Sequence, residues 1–492
     1  MSGEIPAGRP GNLTPEQEEK VRRIWQLIFQ VCGIAPEGSS AASNSAPSEK
    51  APVSPDAKKR KSRMGFLKRG KKDGEASEES TEVESTPQAG GVLSGNHGDE
   101  DKYGQVKHFY DTLASETPES IRNTIWTMVK HDHPDALVLR FLRARKWDVE
   151  KALIMLISTM KWRAHEMKVD EDIMKNGDAA ALEAEKNDSD PAAKKMGHDF
   201  LAQLRMGKSY VHGTDKQGRP ICVVRVRLHK QGEQEEASLE RYTVYLIETC
   251  RMLLQSPVDT ATVVFDMTDF SMANMDYTPV KFMIKCFEAN YPESLGAVLV
   301  HKSPWLFQGI WKIIRGWLDP VVASKVHFTN NVRDMEGFIP LNQIPKELDG
   351  QEDWVYSYVE PVAGENDKMK DVATRDRLLA GREALVKEYE SATMQWIQNP
   401  DSAEIKAKRN ALAVKLREDY WNLDPYIRAR SYYDRTGVLQ PGGKLNYYPS
   451  AAAQAEAARP QVSAAVVDEK ANGAVPPPPA PVAMTTSADD VD

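Results

Sequence analysis

The chain has 492 residues, a formal net charge of −8 and 41% hydrophobic residues. This length allows two or three ordered units, and the negative charge argues against a nucleic-acid-binding protein. The four cysteines are widely spaced and form no CxxC pair, so neither a zinc site nor a disulfide framework is indicated. The chain starts with no secretory signal and has no apolar run of about 20 residues, which predicts a cytoplasmic protein with peripheral membrane contact.

The first predicted element is a helix within residues 1–34. Thr14 is suited to the N-cap, Pro15 to the first helical position, and Gln17 completes a capping box. The apolar stripe of this helix is Val21, Ile24, Ile28 and Val31. Gly33 then ends the helix.

Residues 35–100 are rich in Ser, Ala, Pro, Glu and Lys, a composition typical of a disordered linker. A basic cluster lies within this linker over residues 58–72, with Met64, Phe66 and Leu67 among the cations. Such a cluster can be a solvated linker, a contact to anionic membranes or an import signal. The sequence leaves these alternatives open.

Residues 101–195 predict a helical lobe. Residues 136–146 indicate one helix, and Asp148 is suited to cap a second. The apolar face of the second helix is Val149, Leu153, Leu156 and Met160. Residues 168–195 are polar and rich in Ala, which predicts an elaborated connection.

Strands and helices alternate over residues 196–365. The predicted strands are 220–228, 260–267, 295–300 and 325–329, and the predicted helices are 239–254, 277–289 and 304–318. This alternation indicates an α/β fold with a mostly parallel sheet and right-handed crossovers. Residues 366–448 predict a C-terminal helical extension, and residues 449–492 a disordered tail.

The sequence contains no recognisable catalytic motif. Gly207-Lys208-Ser209 resembles the end of a phosphate-binding loop, but Ala202 stands where that loop requires glycine. His131 and His133 flank one another without a third metal ligand. The sequence therefore predicts no metal and no cofactor, and it favours a binding protein over an enzyme.

Residues 303–318, SPWLFQGIWKIIRGWL, form the most unusual segment. Gln308, Lys312 and Arg315 make one narrow polar stripe, and nearly all other positions are large and apolar. A helix that is apolar over most of its circumference is expected to be buried on several sides. The segment is either a central core helix or a lid with one flank over a cavity and another against lipid.

Four motifs resemble the CRAL-TRIO family and occur in that family's order. They are residues 139–149 (LRFLRARKWDV), 214–220 (TDKQGRP), 291–296 (YPESLG) and 318–325 (LDPVVASK). The branch they resemble is that of the fungal phosphatidylinositol transfer proteins of the secretory-pathway type. The resemblance implies the CRAL-TRIO fold, in which a helical N-terminal lobe precedes a mostly parallel sheet with a helical gate over an apolar lipid pocket.

The gate of the family falls on residues 304–318, which favours the lid interpretation. The residues expected to contact the membrane are Leu306, Phe307, Ile310, Ile313, Ile314 and Trp317. The residues that the resemblance assigns to the inositol headgroup are Arg145, Lys146, Glu293 and Lys325. Cations suit a phosphodiester, and a carboxylate accepts protons from inositol hydroxyls. Without the resemblance, these residues read as ordinary charges at a helix end and a surface pair.

The chain departs from the branch at the positions that bind phosphatidylcholine. Two tyrosines and two hydroxyl residues of the branch are replaced here by Val211, Cys222, Ala261 and Val263. None of these side chains donates a strong hydrogen bond to a phosphate. The sequence therefore predicts poor phosphatidylcholine binding and a more apolar second ligand, such as a sterol or a squalene-like molecule.

The sequence thus predicts a monomeric, non-enzymatic phosphatidylinositol transfer protein that exchanges single lipids between membranes. It is expected on intracellular membranes such as the endoplasmic reticulum, Golgi or endosome, with lipid kinases or lipid-metabolism enzymes as partners. Two alternatives remain within lipid binding: a sensor that presents phosphatidylinositol to a lipid kinase, and a carrier of a more apolar ligand. A third, from another class, is an adaptor that docks proteins through its tails.

Overall fold

The computed structural model describes residues 4–35 and 101–450. The predicted linker from residue 36 onward, its basic cluster over residues 58–72 and the tail from residue 451 onward lie outside these residues. The helices of the N-terminal part are α1 (Pro15–Val31), α2 (Gln105–Ser115), α3 (Pro118–Val129), α4 (Pro134–Ala144), α5 (Val149–Lys161), α6 (Lys175–Lys186) and α7 (Pro191–Arg205).

The sheet and its helices follow. They are β1 (Ser209–Thr214), β2 (Pro220–Arg225), α8 (Glu236–Met252), β3 (Ala261–Asp266), α9 (Tyr277–Lys285), β4 (Leu295–His301), α10 (Phe307–Trp317), α11 (Pro320–Ser324), β5 (Val326–Thr329) and α12 (Val332–Glu336). The C-terminal elements are α13 (Val372–Gln398), α14 (Ala403–Ile427), α15 (Tyr432–Arg435), β6 (Leu439–Gln440) and β7 (Lys444–Leu445).

Helix α1 belongs to the helical lobe. The predicted capping box is present, because Gln17 N–H donates to Thr14 Oγ1 and Thr14 N–H donates to Gln17 Oε1. Trp25 Nε1–H donates to the buried carboxylate of Asp135 on α4 at 2.8 Å. The apolar face of α1 therefore shares one core with α4, α5 and α13.

The connection predicted over residues 168–195 is helical. A π-helical turn at Val169–Met174 leads into α6, and α7 begins after Asp190, which caps it. The helical pattern of apolar residues is weak in this part of the sequence because α6 and α7 pack through small side chains. A Cβ on Gly197 would lie 2.5 Å from the carbonyl oxygen of Ala181. The predicted domain boundary at residues 195 and 196 therefore falls inside α7.

The central sheet has the strand order β1-β2-β3-β4-β5. Strands β2 to β5 are parallel, as predicted, and β1 pairs antiparallel with β2 at one edge. The strand predicted over residues 220–228 ends at Arg225 because the next three residues form a 3₁₀ turn. β1 was not predicted, since it is short and contains Gly213, a residue depleted in strands.

Both faces of the sheet are covered, because alternate side chains of each strand point to opposite faces. One face packs against α12 and the segment after it, through Tyr210, Ile221, Val223, Val264, Leu299, Met335, Ile339 and Ile344. The other face carries Cys222, Val224, Val263, Phe265 and Val298 and lies under α8, α9 and α10. The cavity lined by these residues lies on this second face.

The C-terminal extension is bound into the rest of the protein. Arg409 of α14 donates two hydrogen bonds to Asp135 of α4, at 3.1 and 2.7 Å. The backbone N–H of Val211 in β1 donates to the hydroxyl of Tyr433 at 2.6 Å. The extension thus contacts both the helical lobe and the edge of the sheet.

A buried carboxylate, Glu248 of α8, joins the helical lobe to the sheet domain. Its Oε1 accepts hydrogen bonds from Arg163 at 2.6 Å, Arg251 at 3.0 Å and the Tyr291 hydroxyl at 2.8 Å. The ammonium of Lys130 lies 3.7 Å from Oε2. Burial raises the pKa of Glu248, but the cations Arg163, Arg251 and Lys130 outweigh this effect and hold the pKa well below its usual value.

We predict that Glu248→Gln lowers the free energy of unfolding at pH 7 by about 3 kcal/mol, because it leaves buried cations without their partner. A carboxylate with a lowered pKa stabilises the fold above the unfolded-state pKa of about 4.3, and this contribution is lost as the pH falls. The variant should therefore lose less stability than the natural protein between about pH 4 and pH 2. Urea titrations across this pH range measure both effects.

Glu236→Gln is the matched control, since Glu236 is exposed on the same helix. An equal loss of stability in both variants would show that Glu248 has no special role.

Candidate functional site

A cavity lies between the second face of the sheet and helices α8, α9 and α10. Its volume is about 280 Å³, counted as the space that the centre of a water molecule can occupy. The sheet lines it with Cys222, Val224, Ala261, Val263, Phe265, Leu295, Val298, Val300 and Val326. The helices line it with Leu239, Leu246, Ile247, Val280, Met283, Ile284, Phe287, Phe307, Trp311 and Ile314. The lining is almost wholly apolar, which suits a hydrocarbon ligand.

Helix α10 covers one side of this cavity. It begins at Phe307 rather than at Pro304, because residues 304–307 form a separate turn in which Phe307 N–H donates to the Pro304 carbonyl at 2.9 Å. Two edge-to-face ring pairs hold its inner side: Phe307 with Phe270 at 5.9 Å, and Trp311 with Phe328 at 5.3 Å.

The expectation that this helix is buried on several sides is wrong, because its outer face meets solvent. Trp305 is 86% exposed and Ile313 is 48% exposed. Lys312 and Arg315 are exposed beside Ile313. Apolar side chains next to cations are typical of a surface that contacts anionic membranes.

The six predicted membrane-contact residues divide between the two faces. Phe307, Ile310 and Ile314 are buried in this conformation. Leu306 and Trp317 are half-buried, and Ile313 is exposed. The indole of Trp317 packs edge-on against Tyr277 at 5.3 Å, which ties the end of α10 to α9.

Glu293 and Lys325 come together at the amino edge of the sheet. Glu293 precedes β4, Lys325 precedes β5, and Lys325 Nζ lies 3.7 Å from Glu293 Oε2. Both side chains are about one-fifth exposed. Glu293 has a left-handed backbone with φ of 55°, a conformation that costs a non-glycine residue about 1–3 kcal/mol. Such strain is concentrated at functional sites.

Arg145 and Lys146 lie just after α4. Arg145 Nη2–H donates to Gln105 Oε1 at 2.5 Å. Lys146 is exposed and has a φ of 51°, which places it in the left-handed turn that ends α4. Trp147 N–H donates to the Leu142 carbonyl at 2.7 Å in this turn. The conformation of Lys146 is therefore explained by helix capping alone.

Two further arginines of the same motif, Arg140 and Arg143, were not predicted as site residues. Arg140 Nη1–H donates to the backbone carbonyl of Glu293 at 2.9 Å. Arg143 Nη2–H donates to Asp259 at 3.0 Å, whereas its buried Nε–H has no partner among the described residues. Burial lowers the pKa of Arg143 to about 10, with Asp259 and Glu293 acting in the opposite direction. The spacing of these residues at i and i+3 was the available signal, since it places both on one helix face.

The four positions that predict poor phosphatidylcholine binding are adjacent in the sheet. Val211 pairs with Cys222, and Cys222 pairs with Val263. Cys222, Ala261 and Val263 line the cavity, whereas Val211 is buried beside Tyr433. These residues make part of the cavity floor apolar.

His131 and His133 have structural partners. A ring nitrogen of His131 lies 3.2 Å from the Arg251 carbonyl, and His133 Nδ1 accepts from Asp135 N–H at 3.1 Å as the cap of α4. Within residues 4–35 and 101–450, no group of His, Cys, Asp and Glu side chains is placed to hold a metal ion. Over the same ranges, no helix is long and apolar enough to cross a bilayer.

Comparison with known proteins agrees with this architecture. The family described as "CRAL/TRIO domain" matches residues 204–350, and "CRAL/TRIO, N-terminal domain" matches residues 105–158. A CRAL-TRIO domain-containing protein of Schizosaccharomyces pombe is 46% identical over 437 residues, which cover 88% of this chain and 93% of the relative. The chain therefore belongs to the CRAL-TRIO family.

Two further relatives are similar over more than half of this chain. "Phosphatidylinositol transfer protein CSR1" of Eremothecium gossypii is 40% identical over 443 residues, which cover 88% of this chain and 98% of that protein. "SEC14 cytosolic factor" of Kluyveromyces lactis is 26% identical over 291 residues, which cover 55% of this chain and 86% of that protein. The two family matches end at residue 350. The similarity to the Schizosaccharomyces pombe and Eremothecium gossypii proteins extends over most of the chain.

We predict different outcomes for a charge on the two faces of α10. Ile310→Asp places an unpaired charge in the core and should lower the free energy of unfolding by at least about 3 kcal/mol. Ile313→Asp places the charge in solvent and should leave thermal stability within a few degrees of the natural protein. In a vesicle-sedimentation assay, Ile313→Asp should nevertheless bind anionic vesicles more weakly.

Val414→Asp is a control for Ile313→Asp, since Val414 is similarly exposed on α14. Normal vesicle binding by Ile313→Asp would show that the outer face of α10 does not contact the bilayer.

Proposed function

We propose that this protein is a non-enzymatic phosphatidylinositol transfer protein that carries one lipid at a time between membranes. The observation that carries the proposal is the nearly wholly apolar cavity beneath α10. The relative that is 40% identical over 88% of this chain is named as a phosphatidylinositol transfer protein, which supports the same lipid.

The cavity explains why a lipid would stay bound during transit. Burial of an acyl chain recovers about 0.8 kcal/mol per CH₂ group relative to water. A diacyl lipid therefore needs no large set of polar contacts for retention. The polar residues at the edge of the sheet serve instead to select the headgroup.

The proposed headgroup site lies at the amino edge of the sheet. Lys325 and Arg145 would face the phosphodiester, and Glu293 would accept protons from inositol hydroxyls. Glu293 and Lys325 form a partly exposed ion pair. Such a pair contributes little free energy, so each side chain can leave the other and bind a ligand group instead. Lys146 is exposed, so its side chain can turn toward an arriving lipid.

The outer face of α10 supplies the proposed membrane contact. Trp305 and Ile313 would insert at the interface, while Lys312 and Arg315 meet anionic headgroups. Displacement of α10 would open the cavity because Phe307, Trp311 and Ile314 form part of its wall. Membrane association in this proposal is peripheral.

Two measurements test the proposal as a whole. Mass spectrometry of lipid extracted from the purified protein should find phosphatidylinositol at up to one molecule per chain. Transfer of labelled phosphatidylinositol between two vesicle populations should depend on the concentration of protein. Protein that carries no lipid and transfers none would support the adaptor alternative.

We predict that Lys146→Ala together with Lys325→Ala reduces phosphatidylinositol transfer at least about tenfold. Hydrogen bonds to charged groups contribute about 1.5–3 kcal/mol each, so the loss of two weakens headgroup capture by this factor or more. Lys107→Ala with Lys387→Ala is the control, since both lysines are highly exposed and neither lines the cavity. Unchanged transfer by the first double variant would show that the headgroup site lies elsewhere.

We also predict that the natural protein transfers phosphatidylcholine poorly, because the apolar floor leaves its phosphate without donors. Ala261→Ser with Val263→Thr adds two hydroxyls to the cavity and should raise phosphatidylcholine transfer. Val264→Thr adds a hydroxyl on the opposite face of the sheet and should not raise it. Efficient phosphatidylcholine transfer by the natural protein would contradict this prediction.

A further inference from the structure

The cavity has a second polar region at the edge of the sheet opposite to Glu293 and Lys325. Lys208 precedes β1, and its carbonyl accepts a hydrogen bond from the N–H of Arg225, the last residue of β2, at 2.9 Å. This position lies at the carboxyl edge of the parallel strands. The two polar regions are therefore separated by the length of a strand such as β4, whose seven residues span about 20 Å.

Lys208 is a buried cation in the wall of this cavity. The residue is 6% exposed, and it lines the cavity together with His229 and Asp276. Its ammonium donates to Gln234 Oε1 at 2.7 Å and contacts His229 Nδ1 at 3.2 Å. An ammonium has three protons, so these two contacts leave one N–H available.

The contacts of Lys208 are with neutral groups. Burial lowers the pKa of His229, so its imidazole is neutral, and Nδ1 accepts from Lys208 while Nε2–H donates to Asp276 at 3.3 Å. Within the described part of the chain, no carboxylate lies within 4.0 Å of the Lys208 ammonium. Burial lowers the pKa of Lys208 to about 8, with the more distant carboxylates of Glu233, Asp199 and Asp276 acting in the opposite direction, and the group is still charged at neutral pH.

A buried ammonium without a carboxylate beside it is costly unless a ligand supplies the opposite charge. We propose that this end of the cavity binds the carboxylate of a long-chain fatty acid, with Lys208 as its ion-pair partner and the chain along the apolar cavity. A carboxylate needs few donors beyond the one N–H that is available. A phosphate monoester carries more charge and three acceptor oxygens, and so requires a larger set of donors.

This inference rests on the proposed function, since it requires that the cavity take up lipid. It concerns a different edge of the sheet from the proposed inositol site, and Lys208 lies outside every motif that carries the family resemblance. Gln234 and His229 hold the ammonium in place, and Asn274 in turn holds the loop of His229 by donating to its carbonyl at 2.8 Å.

The test compares ligands that share a C16 chain and differ at one end. The purified full-length protein is incubated with vesicles that contain palmitate, methyl palmitate, hexadecanol or palmitoyl lysophosphatidate, and bound lipid is quantified after separation. We expect the natural protein to take up palmitate at least about tenfold better than the neutral ester and the alcohol, as a charge-assisted hydrogen bond requires. Equal uptake of the three would show that this end of the cavity holds water only, and a preference for lysophosphatidate would show a phosphate site; either result overturns the proposal.

Lys208→Met removes the charge with little change of volume and should abolish the preference for palmitate over its ester. Lys387→Met is the matched control, because Lys387 is exposed on α13 and pairs with Glu383 outside the cavity. A preference that survives in Lys208→Met would overturn the proposal, and the wild-type ligand series stands even if this variant fails to fold. Uptake of phosphatidylinositol without preference for palmitate would overturn the inference alone, whereas uptake of no lipid at all would overturn the proposed function with it.

Discussion

The buried carboxylate of Glu248 is the contact on which the arrangement of the two halves depends. It joins α8 to Arg163 of the helical lobe and to Tyr291, the first residue of the segment that leads into β4. Arg163 also bonds to Asp170 at 2.6 Å, which extends the network into the turn before α6. Because every charge in this network has a partner of opposite sign, the lobe and the sheet domain are held in one relative position.

This constraint reaches the candidate headgroup site through two residues. Tyr291 is fixed by Glu248, and Glu293 follows two positions later with a left-handed backbone. Arg140 of the lobe donates a hydrogen bond to the backbone carbonyl of Glu293 at 2.9 Å. A residue of the lobe therefore fixes the backbone from which the Glu293 side chain extends. The partly exposed pair of Glu293 and Lys325 is therefore built on a rigid base, whereas α10 above the cavity is held mainly by apolar contacts.

Much of the fold could be predicted from local pattern. The parallel strands could be predicted because buried parallel strands are short apolar runs between helices. The starts of α1 and α5 could be predicted because Thr14 and Asp148 are residues that cap helices. Features that depend on tertiary packing could not be predicted in this way. α6 and α7 approach through Gly197, a contact that leaves little apolar signal. The exposure of Ile313 could not be predicted either, because large apolar residues flank the narrow stripe of Gln308, Lys312 and Arg315 in the sequence.

The candidate site was predicted through motif resemblance rather than through physical chemistry. Glu293 and Lys325 are 32 residues apart, and only the parallel pairing of β4 with β5 brings them together. The contacts of Arg140 and Arg143 could not be predicted because charged residues near the end of a helix are common and usually exposed. Lys208 belongs to Gly207-Lys208-Ser209, which only resembles the end of a phosphate-binding loop, and nothing in the sequence signals that this residue lines a cavity.

The two polar edges of the sheet impose a relation between the proposed ligands. A phosphatidylinositol held by Glu293 and Lys325 would direct its acyl chains toward the carboxyl edge, and a fatty acid held by Lys208 would direct its chain toward the amino edge. Both chains would lie against the same residues of the floor, such as Val263 and Val298. Because one apolar volume cannot hold both, occupancy at one edge would oppose occupancy at the other, although the two sets of charges never meet.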